Sequence, residues 1–298
     1  MKTIKIGTRN STLAMCQSNF VKDYLIKEKG IPAELVPMVT TGDRILDRPL
    51  DEVGGKGLFM KELDQALKEK TIDLAVHSLK DVVMDVPEEY PILGVSGRED
   101  PRDVLVLRED LKNPDFSLPV GTSSKRRALQ FKKMYPNAIL KGVRGNIATR
   151  LKRLDEGEYG ALILAAAGLK RLGLEKRISR YFEVDEILPA AGQGVLAVQG
   201  RADFNADCLK VFFQEEEMIR VLSERSFVRT LNGGCTSPIA AYSSIKNDEM
   251  EIIGLYYEES MGDDYLIGRV SGNIKDGVEL GRQLAERLRE KAQRNDRR

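Results

Sequence analysis

Three groups of residues in this 298-residue chain have types and spacings that suit chemistry. The first is Cys235, in "LNGGCTSPIA" (231–240), directly after two glycines and three residues before a proline. Backbone without Cβ bends sharply and lets other molecules approach closely. A core cysteine does not need that setting, whereas a cysteine that carries a group does. The second is Asp81, in "HSLKDV" (77–82), a carboxylate beside Lys80 at the end of an apolar run. There it can act as a general acid or steady a developing cation, and a surface Lys–Asp turn accounts for it equally well. His77, the single histidine, suits a hydrogen-bonded structural role better than that of a base. The third is the window 121–153, rich in Lys and Arg and free of Asp and Glu.

Within that window Lys132, Lys133, Lys152 and Arg153 suit solvated helix faces. "GTSSKRR" (121–127) and "KGVRGN" (141–146) differ, because each follows a short apolar run and opens a helical pattern. In open α/β sheets, ligands bind where strands end and helices begin, since free helix N–H groups attract anions. Arginine grips carboxylates through two parallel hydrogen bonds. "GTRNST" (7–12) repeats the same design near the amino terminus. Three such junctions predict a pocket for a ligand with several carboxylates or phosphates. No GxxxxGK[ST] pattern occurs, so a P-loop is not expected.

The elements that must position these residues follow from periodicity. Strands are expected at 3–7, 33–41 and 72–78, with helices at 11–30 and 59–70, a β-α-β-α-β order. The proline in 33–41 marks that strand as irregular or at an edge. A second unit has strands at 103–107, 138–140 and 161–168, with helices at 124–135 and 146–157. The run 195–200 returns to the first sheet, and a helical pattern covers 205–231. Two strands and a charged helix from about 275 make a small α+β tail. The fold class is therefore α/β, with two lobes of mostly parallel sheet and helices on both faces.

Lys and Arg (47) balance Asp and Glu (46), so overall charge favours neither a nucleic-acid nor a membrane partner. The basic window alone would suit nucleic acid, but only Phe131 and Tyr135 are there to stack on bases. The start "MKTIKIGTRN" reads as lacking a signal peptide. Three cysteines without CxxC spacing suit a reducing, cytoplasmic setting, and one histidine argues against a metal site.

Taken in order, "IGTRNSTLAMCQ", "GDRILD", "GGKGLFMKELDQAL", "AVHSLKDV", "GTSSKRRALQ", "GVRGNIATRL", "LAAAGLKRLGL", "LPAAGQG" and "ERSFVRTLNGGCTSPIA" resemble the porphobilinogen deaminase family over nearly the whole chain. Lys125 and Ser237 depart from its usual residues. The resemblance implies two lobes like those of periplasmic binding proteins plus a third domain. The divisions are 1–97 with 195–214, 98–194, and 215–298. It implies deaminating, head-to-tail joining of four porphobilinogen molecules and release of hydroxymethylbilane. The product grows on a dipyrromethane cofactor held by a thioether to Cys235. Asp81 becomes the catalytic carboxylate, facing the cation left when ammonia departs. Arg9, Ser11, Lys80, Thr122, Ser123, Ser124, Arg126, Arg127, Arg144, Gly145, Arg150, Arg171 and Gln193 become cofactor or substrate contacts. Lys56 and Phe59 become parts of a lid loop. No metal and no macromolecular partner are implied, and the family suggests a monomer. A non-catalytic two-lobed binding protein for a polycarboxylate explains the basic junctions too, but leaves "NGGC" and Asp81 without a role.

Overall fold

The computed structural model describes residues 2–44, 57, 60–234 and 237–296. The chain opens with β1 (Ile4–Arg9), α1 (Thr12–Lys29) and β2 (Ala33–Met38). Ser11 caps α1 by accepting the Ala14 amide, and Gly30 ends it in the left-handed conformation at φ 63°. A short α2 (Thr41–Arg44), α3 (Lys61–Lys68), β3 (Leu74–Ser78) and β4 (Ile92–Val95) complete this part of the first lobe. The second lobe runs β5 (Asp103–Leu107), β6 (Val120–Gly121), α4 (Lys125–Met134), β7 (Leu140–Lys141), α5 (Ile147–Asp155), β8 (Ala161–Ala165), α6 (Ala166–Arg171) and β9 (Arg180–Tyr181). β10 (Leu196–Gly200) then returns to the first sheet, as its apolar run predicts.

The two lobes carry the same sheet. Their orders are β2-β1-β3-β10-β4 and β7-β6-β8-β5-β9. In each, the first two pairings are parallel and the last two antiparallel. The parallel pairing expected from β-α-β order thus covers the half of each sheet built by helical crossovers. The other half forms around a strand that arrives from the opposite lobe, β10 in the first and β5 in the second. Pro37 sits in β2, which pairs only with β1 at the sheet edge, where a missing N–H costs little.

The two crossing segments lie side by side. The Glu99 amide donates to the Gly194 carbonyl at 3.1 Å, and the Ser96 amide to that of Leu196 at 3.0 Å. Gly194 has φ 92°, and a Cβ there would stand 2.2 Å from the Glu99 carbonyl oxygen. Only glycine fits this crossing.

The remaining chain forms α7 (Glu215–Thr230), an antiparallel sheet of β11 (Ala240–Lys246), β12 (Glu249–Tyr256) and β13 (Leu266–Asn273), and α8 (Gly277–Asp296). Phe227 of α7 and Leu284 and Leu288 of α8 pack on Ile252 of the sheet. Several points differ from the sequence reading. The helix expected over 205–231 begins only at Glu215, and β4 and β9 are strands that reading did not anticipate. The 161–168 run stops being a strand at Ala165, because Ala166 and Ala167 favour helix and open α6. The strand expected at 138–140 shortens to Leu140–Lys141. β11 is an additional strand, masked in the sequence by its polar centre. Its buried Ser243 is satisfied by Glu224, which accepts from both the amide and the hydroxyl at 2.9 Å. No helix among the described residues is long and apolar enough to cross a membrane.

Candidate functional site

Asp81 ends a single 3-10 turn, Leu79–Asp81, directly after β3. Leu79 anchors the turn: its side chain is buried and its amide donates to the Val195 carbonyl at 2.9 Å. The Val82 amide closes the turn on the Leu79 carbonyl at 3.0 Å. The Asp81 side chain is half-buried and accepts no hydrogen bond from the described residues. Its charge is felt by Lys80, by His77 and, across the cleft, by Arg150 of the second lobe. That is how a carboxylate kept for an incoming group would be placed.

Beside it lies a buried charged cluster that spans both lobes. Asp103, fully buried at the start of β5, accepts from Arg126 at 2.7 Å and from Arg127 Nε at 2.9 Å. Arg126 also donates to the Leu188 carbonyl at 2.6 Å, and Arg127 to that of Ile163 at 3.2 Å. Burial opposes the Asp103 charge, but the two guanidiniums prevail and hold its carboxyl well below the usual range. Gln193 extends the cluster, donating to Asp103 at 3.0 Å and to the Pro101 carbonyl at 2.6 Å. Its Oε1 accepts from Lys80 Nζ at 3.3 Å. Burial and the nearby Arg127 push the Lys80 ammonium down to about 8.

The junctions before α4 and α5 are tied together. Ser123 Oγ donates to the Val143 carbonyl at 2.7 Å and accepts the Val143 amide at 3.0 Å. Ser124 caps α4 by accepting the Arg127 amide, and Thr122 Oγ1 accepts the Ser124 amide at 3.2 Å. At α5, Arg150 Nε donates to the Gly145 carbonyl at 2.8 Å. No carboxylate pairs with Arg150 among the described residues. Burial, then Arg127 and Arg144, lower its guanidinium to about 10. Burial likewise lowers Arg144 and Arg171. Arg171 donates to the Gly194 carbonyl at 2.5 Å, tying α6 to the crossing segment.

The first lobe contributes less charge. Arg9, at the end of β1, pairs with Asp43 of α2, which also accepts from Thr40 Oγ1 at 2.7 Å. His77 Nε2 lies 2.9 Å from Gln199 Oε1, and Gln199 Nε2 donates to Asp64 at 2.9 Å. Burial pushes the imidazole down to about 4, so it is neutral and structural at pH 7, as its setting in the sequence suggests.

Cys235, Lys56 and Phe59 lie outside the described residues. The flanks of Cys235 are described. The Gly233 amide donates to the Val228 carbonyl at 2.9 Å, capping α7. A Cβ on Gly233 would meet Val228 at 2.9 Å and Ile239 at 3.1 Å, whereas Gly234 faces open space. The first glycine therefore serves packing, and the second leaves room. Ser237 accepts the Gly234 amide and donates to the Gly234 carbonyl, both at 2.9 Å. This gives the residue at a family departure a defined local task. Cys16 and Cys208 are half-buried, and Cys16 Sγ donates to the Arg171 carbonyl at 3.0 Å.

The structure thus brings Lys80, Arg126, Arg127 and Gln193 into one cluster, and Arg150 into the electrostatic reach of Asp81. Ser11 and Ser124 serve as helix caps. Lys133, Lys152 and Arg153 make surface ion pairs with Asp264, Glu156 and Glu158, and Lys132 donates to the Ala138 carbonyl. Sequence reasoning missed Asp103 and Asp43. The signal for Asp103 was a carboxylate heading the fully apolar run "DVLVL", where only a paired charge is tolerated.

Residues 4–207 match the family model described as porphobilinogen deaminase, dipyromethane cofactor binding domain. Residues 218–290 match that family's C-terminal domain. A porphobilinogen deaminase of Ruminiclostridium josui is 50% identical over 290 residues, 97% of this chain and 98% of its own length. One from Alkaliphilus oremlandii is 51% identical over 287 residues, 96% of each chain. Among solved structures, the methionine binding protein MetQ aligns at a TM-score of 0.45 and 14% identity, covering 70% of this chain and 88% of its own.

Proposed function

Since the chain belongs to the porphobilinogen deaminase family, we propose the following division of labour among its residues. The reaction is that of a hydroxymethylbilane synthase. Four porphobilinogen molecules each lose ammonia and join head to tail on a dipyrromethane cofactor, and water releases the linear product. The donor set fits such a group, because each pyrrole bears carboxylate arms and the cleft presents arginines, a lysine and helix starts. When bound, the dipyrromethane supplies the pyrrole carbon to which the first substrate is joined.

Cys235 is the attachment residue, supported by its place after the α7 cap and the open space at Gly234. Asp81 is the catalytic carboxylate. It holds a proton for the departing amine, faces the cation that departure leaves on the substrate, and takes up the proton released when the new bond has formed. Arg144 and Arg150 hold carboxylates, with Arg9, Ser11, Lys80, Thr122, Arg171 and Gln193 as further contacts. Arg126, Arg127, Ser123, Ser124 and Gly145 shape the wall, and Lys56 and Phe59 belong to the covering loop. The three divisions 1–97 with 195–214, 98–194, and 215–298 are the working units. The protein acts as a cytoplasmic monomer without a nucleic-acid or membrane partner.

The observation that carries this reading is the Asp81 carboxylate, without a hydrogen-bond donor among the described residues, on a fixed turn opposite Arg150. The test is Asp81→Asn, purified from cells and examined by intact mass and peptide mapping. The peptide containing Cys235 is expected to keep an increment of two porphobilinogen units less two ammonias. Turnover is expected to fall at least ~100-fold, the usual scale for loss of a proton-transfer group. Near-normal turnover removes Asp81 from the chemistry, and an unmodified Cys235 removes the attachment.

A further inference from the structure

We propose that Arg225 is a positioning residue for Asp81, an inference that rests on the catalytic reading of that carboxylate. Arg225 lies on α7, and only 8% of its surface is exposed. Its guanidinium reaches out of the third unit into the first lobe and gathers three successive backbone carbonyls. Nη1 donates to Val82 at 3.3 Å, and Nη2 donates to Val83 and, at 3.2 Å, to Met84. These are the three residues that follow Asp81.

The Asp81 turn is held from two sides. On the amino side, Leu79 is fixed by the Val195 carbonyl. On the carboxyl side, the chain leaves the turn without entering a strand or helix, and buried carbonyls there need donors. A single planar guanidinium with several N–H groups in fixed geometry can serve three of them at once. One helical turn earlier, Val221 packs in the same apolar cluster as Leu79 and Val82, so α7 touches the turn through side chains as well. The same helix ends at Thr230, five residues before Cys235. The carboxylate turn and the segment leading to the attachment residue therefore hang from one rigid element, and Arg225 is the polar link between them. Displacement of a reacting group by about 1 Å costs on the order of 100-fold in rate, so this link acts on rate more than on binding.

Arg229, the next turn along, provides the control. It donates to the Met84 carbonyl at 2.9 Å and pairs with Asp85, but it is largely exposed and does not reach residues 82 or 83.

The experiment compares Arg225→Met, Arg229→Ala and Asp81→Asn with the parent, all as cofactor-bearing full chains checked by intact mass. Arg225→Met is expected to keep the cofactor increment and a KM within about threefold, while kcat falls at least tenfold. Arg229→Ala is expected to stay within about twofold in both. A kcat loss below threefold in loaded Arg225→Met overturns the proposal, as does a loss that only mirrors a missing cofactor. If Arg225→Met does not fold, Arg225→Lys decides. One ammonium does not span three carbonyls, so a kcat loss of threefold or more with KM held supports the link, and a smaller loss overturns it. Failure of the underlying reading looks different. In that case Asp81→Asn itself remains active, whatever the Arg225 variants do.

Discussion

The two lobes share a sheet plan, but their crossing strands bury polar groups in opposite ways. On the first lobe's crossing strand the buried pair is neutral: Gln199 bonds to His77, and also reaches Asp64 and the Tyr90 carbonyl. On the second lobe's crossing strand they are full charges: Asp103 clamps Arg126 and Arg127 where β5 leaves the crossing segment. Both arrangements sit on the strand that crosses between lobes, β10 in one and β5 in the other. The difference follows from what each wall faces. In the proposed function the second lobe holds arginines toward a polyanionic ligand before it arrives, and like charges packed together need an internal counter-ion. Asp103 supplies it for Arg126 and Arg127, while among the described residues Arg150 hydrogen-bonds only to the Gly145 carbonyl. On that proposal one lobe contains cations that are spent on the fold and cations that are kept for the ligand.

The largest effect that would sharpen this contrast belongs to Asp103. Asp103→Asn removes one side of a buried ion pair and leaves two guanidiniums without their counter-charge, a change that costs roughly 3–5 kcal/mol. The urea midpoint of the variant should fall accordingly. A shift worth less than about 1 kcal/mol would mean that water already screens the cluster, and the contrast between the lobes would collapse.

Arg150→Leu is expected to do the reverse. Burial, Arg127 and Arg144 disfavour its charge and the Asp81 carboxylate offsets only part of that, so stability should hold within about 1 kcal/mol or rise slightly. Activity should fall about 100-fold or more, with cofactor assembly or early elongation blocked. Comparing the urea midpoint with product formation and the intact mass separates the two effects. A stable Arg150→Leu protein with parental activity would place Arg150 with the structural cations instead.

Much of this contrast was written in the sequence at the level of elements, and little at the level of partners. The β-α-β order, the Ser11 and Gly30 caps, the edge position of Pro37 and the return of 195–200 all depend on local periodicity and backbone chemistry, which one chain displays directly. The junctions "GTSSKRR" and "KGVRGN" looked equivalent because both put arginines at a helix start. What separates them is Asp103, some twenty residues away in sequence and on a crossing strand, so proximity arises only from the fold. The same holds for Arg9 with Asp43 and for Arg225 with the carbonyls after Asp81. β11 escaped notice because its buried Ser243 depends on Glu224 of another element. Cys235 stands out in the sequence by type and spacing but lies outside the described residues, and the packing of Gly233 explains half of that spacing.

The smallest expected effect tests the neutral arrangement of the first lobe through pH. The His77 imidazole is pushed from its ordinary 6.5 to about 4, first by burial and then by the charge of Arg9, while Gln199 and Asp81 pull it back. The unfolded chain therefore binds a proton near pH 6.5 that the folded chain refuses until about 4. Stability from this group is complete above 6.5 and declines as pH falls toward 4. Between pH 7 and pH 5.5 the loss amounts to about 1 kcal/mol. Burial raises the Asp64 carboxyl, which acts with the opposite sign, so the parent must be compared with a variant that lacks only the imidazole. In His77→Asn, stability at pH 7 should drop with the lost Gln199 contact, but the decline between pH 7 and 5.5 should flatten by that amount. Equal slopes in the two proteins would show that the imidazole is protonated as easily in the fold as outside it. The crossing strand of the first lobe would then face a buried charge after all, and its difference from that of the second would be one of number rather than kind.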